Sequence, residues 1–373
     1  MQKGQISAAQ LVFTLFLCRS FNLLSAEILN VTGHYGMEHI VAIPLALGIQ
    51  ALLAVPAFWL MKRNSRGMNE SMLWTLGKAG ILFPICSCIY LLLVAGITVY
   101  NLAAFLANAI YPGSSAIFFV ITLIIAAMYA AYLGLEGIVR ASVILFGALI
   151  LSLTLTFVGV GERINLINIR PLMEGSMQTI LGGSWRIVAR SSTVYLFLLL
   201  CPKIRSHVKR GFIWYLAAVG ILMETVAFFV SAVLGELAVR EAYPFFMLTT
   251  IAQISIFQRM DALHVTIWVL VCLVRVAIFL WLMKEQFQKC LPLRAQQSQR
   301  IRYLLPFFSV LTAATAAVMV GSREAASACL TLLSSGIPVV LLMAGFPLVG
   351  LIVGEVRQRF QKRSDPPKEG ART

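Results

Sequence analysis

Charged side chains are scarce in this sequence. Asp, Glu, Lys and Arg make up 12% of its 373 residues, against roughly 25% in a typical soluble domain. Histidine occurs four times, at His34, His39, His207 and His264, and none has a metal-ligand or nucleophile partner at a telling spacing. No glycine-rich phosphate loop is present. These absences exclude a metal centre, a catalytic set and a nucleotide cofactor, so no enzyme and no cofactor are expected. Cysteine offers no disulfide framework. The seven thiols, Cys18, Cys86, Cys88, Cys201, Cys272, Cys290 and Cys329, lie mostly inside apolar runs. Cys86 and Cys88 flank Ser87, but no His or acidic residue accompanies them. They read as small buried hydrophobes.

Apolar residues are what the sequence has in abundance, at 60% of the chain. They recur in runs of about 20, the length of helix that crosses a hydrocarbon core at 1.5 Å per residue. The runs are continuous rather than alternating, which excludes a β-barrel. Ten spans are predicted, at 6–30, 38–61, 78–106, 115–134, 140–160, 185–201, 211–235, 261–284, 301–320 and 334–356. The start resembles a signal peptide, but its apolar stretch meets Arg19 rather than a cleavage site, and reads as a retained first helix. Pro84 and Pro338 fall where membrane helices tolerate proline.

The net charge of +15 belongs to short loops between spans, which fits lipid headgroups better than nucleic acid. With the N-terminus in the cytoplasm, 21 Lys and Arg lie inside and seven outside, and Arg19 and Arg275 fall within spans. Arg186 and Arg190 count among the outer charges. The outer loop 161–184 carries Leu166, Ile169, Leu172, Met173 and Met177, which suit short interfacial helices. The segment 243–257 is apolar but too short to cross, and reads as a helix at the outer face. An inner counterpart at 64–77 lies five spans away, as a five-plus-five inverted repeat requires; two unrelated amphipathic loops are the alternative. The domain plan is a single transmembrane unit over 1–360, with repeats near 6–160 and 185–356 and a disordered tail at 361–373.

Three charges stand inside spans, where each needs a partner within the bundle. Depth arithmetic pairs Arg19 with Glu224. It sets Arg275 in the inner third, able to snorkel or to reach Glu136. Asp261 is placed to cap the eighth span. Ser20, Asn22 and Ser25 in span 1, and Ser191, Ser192 and Tyr195 in span 6, are residue types that support a local helix break. Ordinary helix packing explains them as well.

Several stretches, in their order, resemble one family. They are ISAAQL at the start, RSFNLL in span 1, GLEGIVR at 134–140, Pro171 with Gly175, CPKI closing span 6, Tyr243-Pro244, FQRMD, Trp268 and Arg275. The pattern resembles the B-subunit family of bacterial spore germinant receptors, itself similar to the amino acid–polyamine–organocation transporters. The resemblance implies an all-α integral membrane protein of ten transmembrane helices. It implies a LeuT/APC-like five-plus-five inverted repeat with broken helices 1 and 6. It further implies a nutrient sensor, often of amino acids, in the spore inner membrane, with its termini on the core side. The implied partners are an A-type subunit, a C-type lipoprotein subunit and a small-molecule germinant. On that plan the ligand residues are Ser20, Asn22, Ser25, Cys86, Tyr90, Ser191, Ser192, Tyr195 and Thr266, with Arg19, Glu224 and Arg275 setting the electrostatics. Gln258 stands where the family usually has Glu, and span 1 lacks a glycine-rich break. An ion-coupled amino-acid transporter and a ligand-free scaffold subunit remain as alternatives.

The charge count makes a topology prediction. A fluorescent protein fused to the C-terminus is expected to fluoresce in whole cells, and alkaline phosphatase fused there to stay inactive. The opposite pattern would invert the orientation.

Overall fold

The computed structural model describes residues 6–24, 38–169, 176–205, 207–254, 257–258, 260–292 and 299–364. Its elements are helices apart from one hairpin. In chain order they are α1 (Ala8–Leu24), α2 (His39–Asn64), α3 (Met68–Leu76), α4 (Leu82–Phe105), α5 (Ala116–Tyr132), α6 (Gly134–Gly159), α7 (Met177–Ala189), α8 (Ser192–Leu200), α9 (Val208–Leu234) and α10 (Pro244–Ile251). Strands β1 (Gln253–Ile254) and β2 (Phe257–Gln258) then pair antiparallel. Helices α11 (Asp261–Cys290), α12 (Leu304–Gly321), α13 (Arg323–Ser334) and α14 (Phe346–Ser364) follow. A turn of helix over Ile337–Val340 and a π-turn over Leu341–Gly345 lead into α14.

Among the described residues, seven helices are long and apolar enough to cross a membrane. Helices α1, α5 and the α7–α8 pair are shorter. The segment expected at the outer face is the eight-residue helix α10 followed by the hairpin. The segment expected as its inner counterpart forms α3, which ends in a tight turn before α4. Helix α6 begins at Gly134, six residues before the predicted span, so Glu136 sits in its first turn. Helix α14 runs on to Ser364, past the point where a disordered tail was expected. Residues 365–373 of that tail lie outside the described set.

Helices α1, α8 and α11 form the centre. Every residue of α8 is buried, as are Thr14 to Asn22 of α1 and Val274 to Leu280 of α11. A helix apolar on all sides belongs in the middle of a bundle. Around them α4 packs on α11 and α12, α6 and α9 pack on α1, and α2 packs on α7. At the end of the bundle that carries α10, Trp268 is fully buried among Phe21, Phe105 and His264. Tyr243 of the Tyr-Pro pair closes on Phe105 at 4.8 Å, so motif residues 25 positions apart share one aromatic cluster. At the opposite end Ile6 bridges to Ile204, tying the start of α1 to the end of α8. Lys203 meets Glu285 of α11 there at 2.9 Å.

Close approach of α4 and α12 depends on Gly96, where an added Cβ would lie 2.8 Å from the Thr315 methyl. Small residues allow such contacts between membrane helices. Gly96→Val is expected to lower stability by about 1–3 kcal/mol through overpacking. Gly48→Val, at a glycine with nothing within 4 Å, is the control and should leave the melting temperature in detergent near that of the parent.

Candidate functional site: a cavity at a helix break

Span 6 is interrupted. Helix α7 ends at Ala189 and α8 begins at Ser192, with Ser191 in a non-helical conformation at φ −89° and ψ 65°. The break leaves carbonyls and N–H groups without their usual helical partners. Two side chains of α1 reach the carbonyl of Arg190: Arg19 Nη1 donates to it at 3.3 Å and Asn22 Nδ2 at 3.5 Å. The Ser191 hydroxyl donates to Gln50 Oε1 of α2 at 3.0 Å. On the far side Arg275 of α11 donates from Nη1 to the Cys18 carbonyl at 2.5 Å and from Nη2 to the Ser192 hydroxyl at 3.5 Å. Its guanidinium lies over the rings of Phe21 and Phe279, at 5.3 and 5.5 Å. Cation–π contact of this kind is stronger away from water.

A cavity of about 40 Å³ lies at this break. Helix α1 contributes Phe21 and Asn22, and α4 contributes Tyr90, Val94, Ile97, Thr98 and Asn101. Ala189, Arg190 and Ser192 come from the break, Arg275 from α11, and Leu330, Leu333 and Ser334 from α13. Tyr90 packs edge-on against Tyr195, whose hydroxyl bonds that of Ser87. Further along α8, Phe197 interlocks with Phe58 of α2 and Phe212 of α9. The N-terminus of α8, with its partial positive charge, and the guanidinium groups of Arg190 and Arg275 all bear on the cavity. An anionic group is the ligand chemistry this arrangement favours.

The expected ligand residues divide into four groups. Asn22, Tyr90 and Ser192 line the cavity together with Arg275. Ser191 and Tyr195 lie just behind it, committed to Gln50 and Ser87. Ser20, Cys86 and Thr266 do not line it. Ser20 bonds the Leu17 carbonyl of its own turn, Cys86 is half-buried elsewhere on α4, and Thr266 is exposed and bonds the Ala262 carbonyl. Ser25 lies outside the described residues. So does any break in span 1 beyond Leu24, since α1 is continuous through Ser20 and Asn22.

The expected charge pairings are corrected. Glu224 meets His39 Nδ1 at 2.9 Å rather than Arg19. Arg19 faces the preceding residue of α9, with Nη2 3.8 Å from Met223 Sδ. Depth matched, but one residue along a helix is a turn of about 100°, and that turn aims Glu224 at α2. Glu136 pairs with Arg140 one turn on, at 3.4 Å. Arg275 is 2% exposed, so it neither snorkels nor reaches the rim. Asp261 opens α11 within its first turn, while Met260 holds the capping position. Arg190, counted as an outer-loop charge, lines the cavity.

Thr98, Asn101, Phe21, Arg190 and Ser334 escaped the sequence reading. A signal existed for two of them. From Tyr90, steps of 4, 7, 8 and 11 along α4 give Val94, Ile97, Thr98 and Asn101, one helical face ending in two polar residues. Helix α13 also carried a sign, because Ser322 accepts from the Ala325 N–H at 3.2 Å as an N-cap.

Comparison with known proteins bears on this geometry. A Na+-coupled sialic acid symporter, solved in a substrate-bound outward-open state, matches with a TM-score of 0.61 at 11% identity. The match covers 98% of this chain and 91% of that one. It shows an all-α, multi-pass membrane protein with a LeuT/APC-like fold. Spore germination protein KB of Bacillus subtilis (strain 168) is 25% identical over 276 residues, 71% of this chain and 72% of that protein. The family model described as "Spore germination protein" matches residues 11–321. The chain therefore belongs to the spore germination protein family, a family of membrane proteins rather than enzymes, and is of the kind that includes germination protein KB.

Proposed function

We propose that this chain is the nutrient-sensing B-type subunit of a spore germinant receptor. It binds a small amino acid in the cavity at the α7–α8 break and reports occupancy to A-type and C-type subunits. It does so in the spore inner membrane, with both termini on the core side. Ten crossings in a five-plus-five repeat, within one transmembrane unit, complete the proposal. A cavity of about 40 Å³ compares with about 10–15 Å³ for one water on the same measure, so the ligand is small. Its carboxylate would lie toward Arg190, Arg275 and the N-terminus of α8, and Asn22, Thr98 and Asn101 would offer oxygen atoms to its ammonium group.

The observation that carries sensing over transport is Arg275. A carbonyl from α1 and a hydroxyl from α8 are hard oxygen donors, of the type that holds an alkali cation. Here both are engaged by a guanidinium that is covalently part of α11. A tethered cation cannot be released to one side of the membrane, so it drives no cycle. A ligand then acts only through its differential affinity for two conformations. The small volume of the cavity favours a second reading, a scaffold subunit without a ligand.

Thermal unfolding of the purified chain in nanodiscs separates these readings. Glycine, alanine or another small amino acid is expected to raise the melting temperature, and Asn22→Leu to abolish both that shift and the germination response. If no amino acid, sugar or nucleoside shifts it and Asn22→Leu spores germinate normally, the scaffold reading stands instead. Proteoliposomes should show no sodium- or proton-driven amino-acid uptake; such uptake would restore the transporter.

Arg275→Met is expected to destabilise the fold by about 1.5–3 kcal/mol, the scale of a hydrogen bond to a charged group. Arg275→Lys should lose less. Equal stability of the parent and the methionine variant in chemical denaturation would contradict the role given to Arg275.

A further inference from the structure

Helix α13 has two working faces. Leu330, Leu333 and Ser334 line the cavity. Ala325, Cys329 and Leu332 line an apolar groove of about 490 Å³ formed with α12 and Leu93 of α4. One 12-residue helix thus separates the ligand level from an outward-facing surface.

Its attachment is uneven. Along most of its length α13 contacts α4 and α12 through apolar side chains, with Ala326, Cys329 and Leu333 buried. At its C-terminal end the attachment is polar and specific. Arg190 Nε donates to the Ser334 hydroxyl at 3.2 Å, and Trp185 Nε1 donates to the Ser335 carbonyl at 3.1 Å. The next residue is Gly336, at φ +78°. An added Cβ there would lie 2.7 Å from the Trp185 ring. The left-handed conformation and the ring contact both require glycine. It is the joint between α13 and the final span.

We propose, building on the ligand-site reading above, that α13 is a lid over the cavity. It turns on the single extended residue Ser322, which joins it to α12; its other end is freed by Gly336 and latched there by Arg190 and Trp185, and Arg190 is the residue through which ligand occupancy sets the latch. Arg190 belongs to both systems, since it lines the cavity and holds Ser334. A ligand carboxylate beside its guanidinium restrains the side chain in the orientation that bonds Ser334. Occupancy therefore favours the closed lid, and closure fixes the shape of the groove on the other face. The ligand class is a small carboxylate-bearing molecule; an analogue of the same size with its carboxylate replaced by a carboxamide should fit without setting the latch.

Cys329 reports the state of the lid. Cys329 lies on α13 itself, 7% exposed where the helix packs on its neighbours, and burial holds its thiol pKa above the ordinary value, so lifting of the lid raises its access to alkylation. The full-length chain in nanodiscs is treated with N-ethylmaleimide and the rate at Cys329 is read by peptide mass spectrometry, with Cys86 as internal reference. Ser334→Ala and Arg190→Lys are each expected to raise the ligand-free rate at Cys329 about fivefold, the effect of losing one hydrogen bond, without changing the rate at Cys86. In the parent, glycine or L-alanine should slow Cys329 alkylation, L-alaninamide should not, and Ser334→Ala should show no slowing. Unchanged ligand-free rates in both variants would overturn the lid. So would an amino acid that raises the melting temperature yet leaves Cys329 alkylation untouched. If no amino acid raises the melting temperature, the ligand site itself falls, while the ligand-free rates still decide whether α13 is latched.

Discussion

Inside an apolar bundle every freed backbone group must find a partner within the protein. The interruption between α7 and α8 creates such groups, and arginines supply the donors. Arg19 holds the carbonyl at the end of α7, while Arg275 reaches the backbone of α1 and the first hydroxyl of α8. A charge in hydrocarbon costs several kcal/mol by itself. Here the cost is offset by charge-assisted hydrogen bonds and by the rings of Phe21 and Phe279 against Arg275. Without those partners the break would close into a continuous helix or admit water. The position of the cavity follows from it.

The two sides of the cavity are packed differently, and the difference suits the proposed sensor. On one side of the cavity the Tyr90–Tyr195 contact and the Phe58–Phe197–Phe212 group tie α8 to α4, α2 and α9, and the Ile6–Ile204 bridge and the Lys203–Glu285 ion pair tie its end to α1 and α11. On the other side the cavity is lined by a short amphipathic helix, α13, whose side-chain hydrogen bonds to the α7–α8 segment lie at its C-terminal end. A firmly packed side opposes passage of a solute, while a latched helix can answer to occupancy.

Much of the fold was legible in the order of residues. Apolar runs of about 20 marked the crossing helices, the proline-headed stretch near Tyr243 was recognisable as too short to cross, and the polar Ser191-Ser192 pair stood at the true break. What misled was rotation about helix axes. Glu224 had the right depth for Arg19 but the wrong face, and Thr266 lay on the right helix but pointed outward. Small errors in angle decide contact, because neighbours on a helix diverge by about 100° per residue. Helix α13 escaped for another reason: a 12-residue amphipathic segment between two spans looks like a loop to any hydropathy count.

The sequence by itself determined the class of protein, the run of its helices and the presence of arginines that had to be satisfied internally. Composition and periodicity act through local and solvent physics, so they can be read without a partner in view. The tertiary structure alone decided which atoms those arginines touch, that Arg190 belongs to a buried cavity rather than an outer loop, and that Thr98, Asn101 and Ser334 share one small space. These depend on the packing angles of five separate segments, and no single segment carries that information.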